Sequence, residues 1–455
     1  MVDFKSSLIY NLNVLMCKSM EVVLAAVWPF KGIRYNSSLM QIGSVLCPPF
    51  DQITPLAKSR LLSRDSHNIV RLEAPILGLS EDQHSDAYTD AASLLNQWLT
   101  QSVFICDEKP AYYLLKETFG ENLQVRLGLY AAVEIENYDA GVILPHEHTR
   151  KGPKEDRLRL LEACNANFSP IMVLYWGNEE INNLLNSQML LKNPDYSAQY
   201  ADDCNYEMWI ITDQSILDTI KTFFDQKRLF IADGHHRYET ALTYKDSMND
   251  YVDKTHHNKV MMCLIDIMDT GLKLESFHRI INGLSDDQLL QFQDLIEKYF
   301  VVESFDSSSL ENFDLNKMLN LIETKNQHNT TFGFVDVRNS KFLILSIDES
   351  SKLRMIPNPE MPDFLNCEPW ILHSLLIDPL LSKMKSDITQ LEFVYEIDLV
   401  RNIIEENPDS LVFLLPCMAP EVFVSLVEKG ARMPPKSTYF SPKLPTGLVM
   451  NMLER

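Results

Sequence analysis

Hydrophobic and polar positions recur with two different periods along the chain, which predicts a succession of strands and helices. The clearest helix is predicted over Asp82 to Thr100, where apolar residues recur three and four positions apart. Ala111 to Lys116 and Val125 to Ile135 alternate like an antiparallel pair of strands and are separated at Gly120. Because strand and helix signals alternate throughout, the chain is predicted to be an α/β protein or a mixed α+β protein.

Shorter stretches predict the remaining elements. Helices are predicted over Thr54 to Leu62, Arg157 to Asn167, Ser215 to Phe224 with Ser215 as N-cap, Tyr238 to Asp246, Asp286 to Phe300 and Leu365 to Met384. Strands are predicted over Gln41 to Leu46, Ile171 to Tyr175, Glu207 to Ile211, Lys227 to Ala232, Met261 to Met268 and Leu411 to Pro416. A hairpin is predicted from Thr331 to Ile347, a polar connection over Ser307 to Glu311 and a surface excursion over Asn182 to Tyr206.

The character of the sequence changes near residue 280, where we place a domain boundary. We expect an N-terminal extension over residues 1–25, a main α/β domain over 26–280 and a C-terminal α/β domain over 281–455. The extension could be dispensable, since Met16 and Met20 are alternative starts to Met1. The basic tail of the C-terminal domain could return to the functional site.

Composition and charge restrict the classes of function. The chain has 455 residues and carries 41 Lys and Arg against 63 Asp and Glu, a formal net charge of −22. With 45% hydrophobic residues it can bury a sizeable core, so a disordered protein is excluded. The acid excess argues against nucleic acid as a partner, because duplex binding depends on cations that contact phosphates. The excess of acidic residues is still compatible with a small anionic ligand.

The cysteines and the apolar segments indicate a soluble cytoplasmic protein. The eight cysteines form no CxxC pair and have wide, irregular spacings, as expected for reduced cysteines. No stretch of 18 apolar residues and no secretory leader is recognisable, so no membrane partner is expected. The oligomeric state is open.

The segment from Arg228 to Leu242 carries the most chemistry. An apolar strand ends at Ala232, Gly234 permits a turn with positive φ, and a helix begins within two residues. Strand, glycine turn and helix N-terminus together create a site for an anion, because free amide N–H groups and the positive end of the helix dipole meet there. Arg237 adds a planar cation that fits phosphate oxygens.

The flanking side chains of this segment add acid–base chemistry. His235 and His236 can donate hydrogen bonds and transfer protons near pH 7. Asp233 and Glu239 could hold a metal, orient a histidine or act as a base. The alternative is structural: Arg237 would then pair with Asp233 or Glu239, and the histidines would lie at an ordinary turn.

Asp233-Gly234-His235-His236-Arg237 resembles the phosphate-binding turn of the ParB/sulfiredoxin-like fold. Sulfiredoxins have Gly-Gly-Cys-His-Arg-Tyr at the matching place, so His235 stands where they have a reactive cysteine. Archaeal ADP-dependent free-serine kinases of the same fold have an Asp-Gly-His-His-Arg-like version. The resemblance implies that Gly234, His236 and Arg237 bind nucleotide phosphates within a larger mixed-sheet protein. Asp233 is a further candidate for the cofactor site.

A second resemblance covers nearly the whole chain. Its motifs are Trp28 to Tyr35, Cys47 to Asp51, His67 to Glu73, His146-Glu147-x-Thr149 with Asp156-Arg157, Asp233 to Arg237, and Met433 to Lys443. Together they resemble the uncharacterised prokaryotic family called domain of unknown function 1015. That family implies no established activity.

Two loops in the N-terminal half carry further candidates. His146 and Glu147 could bind a metal or act as acid and base, with Thr149 beside them, although a solvated charged loop is the alternative. The fixed turn after Pro48-Pro49 makes Asp51 a candidate base or ligand. Two cations are candidates for an anion or the substrate, Arg157 at a helix start and Arg71 in His67 to Glu73. If that segment is a strand, an Arg71–Glu73 ion pair is the alternative.

The proline-bounded tail supplies a cluster of cations and hydroxyls. In so acidic a chain, such a cluster suits phosphate. A basic surface loop is the alternative. The candidates are Lys436, Ser437, Thr438 and Lys443.

These residues together predict a phosphotransferase that uses ATP or ADP with Mg²⁺ on a small-molecule substrate. Arg237 and the Gly234 turn would hold phosphates, and His235 or His236 would contact the transferred group. Glu147, Asp51 or Glu239 would act as base. The alternatives are a protein that senses nucleotide without turnover, and a metal-dependent hydrolase that uses His146, Glu147 and His235 or His236, with Glu147, Asp233 and Glu239 as candidate metal ligands. A single site requires Arg237, His146 and Lys436 to share one cleft.

Overall fold

The computed structural model describes residues 25–149, 151–201, 204–248, 257–305, 313–347, 362–381, 390–434 and 436–453. Helices and sheets of mixed strand direction confirm the predicted α+β class. The alternative starts, the connection Ser307 to Glu311 and nearly all of the predicted extension lie outside the described residues. The domain division near residue 280 stays a prediction.

Strands and helices are interspersed along the described chain. The strands are β1 (Val27–Trp28), β2 (Gly32–Tyr35), β3 (Phe104–Cys106), β4 (Tyr112–Phe119), β5 (Gln124–Glu134), β6 (Ile143–Leu144), β7 (Ala166–Asn167), β8 (Ile171–Tyr175), β9 (Tyr196–Ala201), β10 (Cys204–Ile211), β11 (Leu229–Asp233), β12 (Lys259–Asp266), β13 (Lys273–Glu275), β14 (His278–Asn282), β15 (Val301–Ser304), β16 (Thr330–Asp336), β17 (Lys341–Ile347), β18 (Gln390–Val394), β19 (Leu411–Leu414), β20 (Tyr439–Ser441) and β21 (Met450–Met452). The helices are α1 (Ile42–Val45), α2 (Pro55–Arg64), α3 (Val70–Glu73), α4 (His84–Thr100), α5 (Lys151–Cys164), α6 (Glu179–Leu191), α7 (Gln214–Phe224), α8 (His235–Ser247), α9 (Asp286–Tyr299), α10 (Leu315–Asn326), α11 (Glu368–Leu372), α12 (Asp378–Leu381), α13 (Ile397–Glu406) and α14 (Pro420–Glu428).

The main sheet has the strand order β6-β11-β8-β12-β5-β4-β10-β9, with β1 paired to β5. The pairs β11–β6 and β12–β8 are parallel and the others are antiparallel. Alternate residues of β4 enter different cores, Tyr113 and Leu115 on one face and Tyr112 and Leu114 on the other. Helices α6, α7 and α8 cover the second face, so both faces of the sheet are buried.

A second, antiparallel sheet has the order β15-β17-β16-β19-β14-β18. Its two faces pack against different helices, which gives two further cores. Phe292 and Ile296 of α9 lie in one core, and Met318 of α10 and Val400 of α13 lie in the other. The predicted hairpin around Asn339-Ser340 is confirmed as β16 and β17, paired from Thr330↔Ile347 to Asp336↔Lys341.

The C-terminal tail leaves the second sheet and packs against earlier segments of the chain. Strand β20 pairs with β13, and β21 lies between β2 and β7. The tail residue Met450 belongs to the same core as Trp98 of α4. The tail therefore lies beside the main sheet, in contact with segments that precede it by more than 160 positions.

Several local predictions were wrong. Gln41 to Leu46 contains helix α1 instead of a strand, and Gly43 of this helix packs so close to β9 that an added Cβ would lie 1.7 Å from the Gln199 carbonyl oxygen. Asn182 to Tyr206 is no surface excursion, since it contains the end of α6, β9 and the start of β10. The N-cap of α7 is Asp213 instead of Ser215; its side chain accepts hydrogen bonds from two amides of the first turn.

The segment His67 to Glu73 contains helix α3, so the strand reading was wrong there too. Glu73 is buried and its nearest cation is Arg157, at 3.7 Å, instead of Arg71. Among the described residues, no helix is long and apolar enough to cross a bilayer.

Candidate functional site

The turn between β11 and α8 has the geometry that its sequence predicts. Gly234 adopts φ +95°, in the left-handed region, and is the N-cap of α8. A Cβ at this position would lie 3.0 Å from the Arg237 guanidinium. Gly234 has no side chain that could cap the first turn of α8, so this helix start lacks the acceptor that a Ser, Thr, Asp or Asn N-cap would supply.

Asp233, the last residue of β11, joins two cations from different parts of the chain. Arg237 Nη2 donates to Asp233 Oδ2 at 2.7 Å, and Lys443 of the tail forms a salt bridge with Asp233 Oδ1. Burial raises the pKa of Asp233, but attraction to Lys443 and Arg237 outweighs it and lowers the pKa well below the usual range. Burial lowers the pKa of Lys443, but Asp233 and Asp51 outweigh it and raise the pKa.

Two buried side chains hold the tail at this position. Arg126 of β5 donates to the carbonyl oxygens of Ser441 and Pro442, at 3.2 and 2.7 Å. Its Nε donates to Glu117 of β4 at 2.7 Å, and both side chains are fully buried. This pair therefore anchors the residues that directly precede Lys443.

His146 and His235 form a buried pair beside Asp233. His146 Nδ1 lies 2.8 Å from the Ile231 carbonyl oxygen, which requires Nδ1 to carry the proton. His235 Nε2 accepts a hydrogen bond from the His146 backbone N–H at 3.2 Å. Burial lowers the pKa of both rings, and for His235 the neighbouring His146 adds to the effect. Both rings are therefore neutral at pH 7.

A cavity of about 500 Å³ opens at the end of β11. Among the predicted residues that line it are the histidines His146, His235 and His236 and the carboxylates Asp51, Glu147 and Asp233. The cations Arg237, Lys436 and Lys443 line it too, as do Gly234 and Thr438. Arg237, His146 and Lys436 thus share one cleft, which is the condition that a single site requires.

The other predicted residues have partners outside this cavity. Thr149 Oγ1 and Lys154 Nζ both donate to Glu239, at 2.5 and 2.9 Å. Arg71 is exposed and donates to the Ser66 carbonyl oxygen at 3.3 Å. These residues are therefore absent from the lining of the cavity.

Arg157 and Ser437 have structural contacts as well. Arg157 donates to the Asp156 carboxylate at 2.6 and 2.9 Å and to the Glu73 carbonyl oxygen at 2.7 Å. Ser437 is buried and donates to the Pro434 carbonyl oxygen at 2.7 Å. Neither side chain lines the cavity.

Arg237 pairs with Asp233, as the structural alternative to phosphate binding predicts. Its Nη2 binds Asp233 and its Nη1 donates to the Pro170 carbonyl oxygen. Nε has no partner among the described residues. These two bonds hold the guanidinium of Arg237 against the Gly234 turn. Lys436 is exposed and is therefore more accessible to an anion than Arg237.

Sequence reasoning missed Gln52, Phe277, Tyr395 and Tyr439, which also line the cavity. Gln52 Nε2 donates to the Tyr439 hydroxyl at 2.8 Å. Tyr439 lies in the tail motif and could have been included with its neighbours. Phe277 and Tyr395 flank strands of the second sheet and carry no local signal of a site.

Three neighbouring side chains offer ligand atoms to a metal. One such atom from each of His146, Glu147 and His235 lies within 4.8 Å of the others. Of the other proposed ligands, Asp233 is bound to two cations and Glu239 to Lys154. Asp51 faces the same cavity. Asp51 and Glu147 are therefore the carboxylates of this cavity that have no described salt bridge to Lys or Arg.

The chain belongs to a family described as "Protein of unknown function (DUF1015)", whose model matches residues 27–364. This confirms the family that the sequence motifs resemble. No curated protein matches the chain.

Several solved structures are similar at low identity. A mutant of free serine kinase in complex with ADP has 12% identity and a TM-score of 0.35, over 71% of this chain and 93% of that one. A conserved hypothetical protein from Pyrococcus furiosus has 12% identity and a TM-score of 0.33, over 71% and 95%. SbnI with a C-terminal truncation from Staphylococcus aureus has 10% identity and a TM-score of 0.34, over 71% and 87%.

Proposed function

We propose that this member of the DUF1015 family is a phosphotransferase that binds a nucleotide with Mg²⁺ and acts on a small molecule. The observation that carries the proposal is the meeting of a helix N-terminus, Lys436, Lys443 and two carboxylates in one cavity of about 500 Å³. Phosphoryl transfer requires positioning and charge neutralisation more than covalent chemistry. A cavity that contains both cations and carboxylates able to bind a metal would meet that requirement.

The phosphates would lie at the start of α8. Amides of its first turn point along the helix axis toward the cavity, and the helix dipole favours negative charge there. Lys436 is exposed and can follow the ligand, whereas Lys443 is held in place by Asp233. Arg237 would act through Asp233 and the turn, as a positioning residue.

The carboxylates would bind Mg²⁺ and accept the substrate proton. Asp51 and Glu147 both line the cavity, and neither has a described salt bridge to Lys or Arg. His236 is half-buried, and burial lowers its pKa in spite of Glu239, Asp51 and Glu147 nearby. A neutral His236 can donate a hydrogen bond to the transferred group without repelling a magnesium ion.

Calorimetric titration with ADP, ATP, CTP and GTP tests the proposal, with Mg²⁺ and with EDTA. We expect at least one nucleotide to bind with Mg²⁺, and Lys436→Met or Asp51→Asn to weaken it about tenfold or more, since each removes a charge at the phosphates or the metal. Lys341→Met is the matched control, because Lys341 is exposed in β17 and does not line the cavity.

Turnover is followed by phosphorus NMR with pools of amino acids, sugars and alcohols. Nucleotide consumption that stops in Asp51→Asn is the expected result. Binding without consumption would identify a nucleotide sensor instead. Absence of binding by all four nucleotides, or binding unchanged in both cavity variants, would overturn the proposal.

A metal-dependent hydrolase is the second candidate, favoured by the grouping of His146, Glu147 and His235. The bond from His146 Nδ1 to a backbone carbonyl is the arrangement that orients a metal-binding imidazole with Nε2 as its ligand atom, although Nε2 here accepts a hydrogen bond from the Thr438 hydroxyl at 3.2 Å. However, His235 Nε2 already accepts the His146 N–H. Equilibrium dialysis with Zn²⁺ and Mn²⁺ distinguishes the candidates: stoichiometric binding lost in His146→Ala, without nucleotide binding, would favour the hydrolase.

A further inference from the structure

We propose that Phe277, Tyr395 and Tyr439 form the subsite that holds the planar base of a nucleoside phosphate. We call these three side chains the aromatic wall. The inference rests on the proposed function and adds a subsite for the part of the ligand that is not phosphate. All three residues line the same cavity as Lys436, Lys443 and the start of α8.

The aromatic wall is a compact set of rings from three separate segments. Tyr395 stacks on Tyr439 with ring centroids 3.8 Å apart and an interplanar angle of 17°. Phe277 meets both rings edge-on, at 5.7 Å from Tyr395 and 5.6 Å from Tyr439. Phe277 directly precedes β14 and Tyr395 directly follows β18, and these strands pair through His278↔Val394. The second sheet thus supplies two rings and the tail supplies the third.

The wall is held rigidly before any ligand arrives. The Tyr439 hydroxyl accepts a hydrogen bond from Gln52, and the Tyr439 backbone pairs with Glu275 in the β13–β20 ladder. Tyr439 and Phe277 are buried, whereas Tyr395 is half-exposed. A preorganised aromatic surface loses little conformational freedom when a flat ring stacks on it, and Tyr395 is the ring with surface left to cover.

The positions of Lys436 and Lys443 indicate the orientation of a ligand in the cavity. Lys436 Nζ lies 5.2 Å from the Phe277 ring centroid, and Lys443 Nζ lies 5.2 Å from the Tyr439 ring centroid. The aromatic wall therefore adjoins the lysines, which in turn adjoin Asp233 and the start of α8. A ligand with anionic groups at one end and a flat ring at the other matches this order, and a nucleoside di- or triphosphate is such a ligand.

Calorimetry with ADP and with pyrophosphate, both with Mg²⁺, separates the base from the phosphates. We expect Tyr395→Ala to weaken ADP binding by roughly 5- to 150-fold, the range of losses measured for base–aromatic stacking. Pyrophosphate affinity should stay unchanged in this variant. Tyr395→Phe is the matched control: it keeps the ring and should bind ADP like the wild type. The melting temperature of each variant checks that it is folded.

Three other outcomes overturn the inference in distinguishable ways. If the wild type binds ADP and pyrophosphate equally, the base has no subsite and only the inference fails. If Tyr395→Ala weakens both ligands alike, the wall acts through the structure of the phosphate site and the inference fails as well. If the wild type binds neither ligand, nor any other nucleotide, the proposed function itself fails.

Discussion

Lys443 of the C-terminal tail forms a salt bridge with Asp233 at the end of β11, although 210 positions separate the two residues. Both side chains are largely buried, so the pair lies where solvent screens charge weakly. Asp233 also binds Arg237, which braces the turn at Gly234. The salt bridge therefore connects the tail directly to the start of α8.

Lys443→Met should destabilise the protein most near neutral pH. In the folded state Lys443 and Arg237 lower the pKa of Asp233 below its value of about 3.9 in the unfolded chain. The stabilisation that the Lys443–Asp233 pair contributes is therefore fully present above about pH 4. It is lost as the pH falls through the pKa of Asp233 in the folded state. The difference in unfolding free energy between wild type and variant, measured with urea, should be full at pH 7 and shrink below pH 4.

Lys151→Met is the control for this series. Lys151 pairs with Glu155 on the surface with 88% of its side chain exposed, and such pairs contribute at most about 1 kcal/mol. An equal effect of both substitutions at pH 7 would contradict a special role for the Lys443–Asp233 pair.

Gly234→Ala should cost more stability than Gly430→Ala. Both glycines have positive φ, +95° and +77°, so both substitutions impose a backbone strain of about 1–2 kcal/mol. Only at Gly234 would the new Cβ press on a guanidinium, that of Arg237, which is fixed by Asp233 and Pro170.

Urea unfolding at pH 7 measures this difference, which we expect to be about 1 kcal/mol, the net value of one hydrogen bond. Equal costs would mean that Arg237 moves aside without loss and does not brace the turn.

His235→Gln should flatten the pH dependence of stability below pH 6.5. Burial and the neighbouring His146 lower the pKa of His235 in the folded state, so the unfolded chain binds its proton more readily. Stability is therefore lost as the pH falls below about 6.5, with a slope of at most about 1.4 kcal/mol per pH unit for one proton. Glutamine can still accept the His146 N–H.

Urea unfolding between pH 7.5 and pH 5 measures the slope. His328→Gln is the control, because His328 is exposed and its substitution should leave the slope as in the wild type. A wild-type slope in the His235 variant would show that this ring is not held neutral.

Arg126→Met should destabilise the fold by about 3–5 kcal/mol, because it leaves the buried Glu117 without its cation. Arg126→Met combined with Glu117→Met should regain most of that loss, since both charges are then gone. The double variant still lacks the two hydrogen bonds that hold Ser441 and Pro442. We therefore expect it to bind Mg²⁺–nucleotide more weakly, as measured by calorimetry. A stable double variant with wild-type affinity would contradict the positioning of Lys443 by Arg126.

Much of the local architecture was predictable because its cause is local. The alternation in β4 and β5, the helical repeat of α4 and the hairpin of β16 and β17 follow from side-chain periodicity and turn chemistry. Helix α1 was mispredicted, because the β-branched Ile42 and Val45 suit a strand, whereas the observed helical turn packs its Gly43 closely against β9. Helix α6 was not predicted, because its asparagines make the segment polar in sequence although Ile181 and Leu185 are buried.

The candidate site likewise combines features that the sequence predicts with features that only the tertiary structure determines. The sequence by itself determined the strand, the Gly234 turn and the start of α8, together with the histidines, carboxylates and lysines available to them, since these depend on neighbours in the chain. The tertiary structure alone determined that Arg237 braces the turn, that Lys443 reaches Asp233 and that Phe277 and Tyr395 face the same cavity. Those contacts join residues tens to hundreds of positions apart, and the packing of two sheets and a returning tail selects them, which no local pattern encodes.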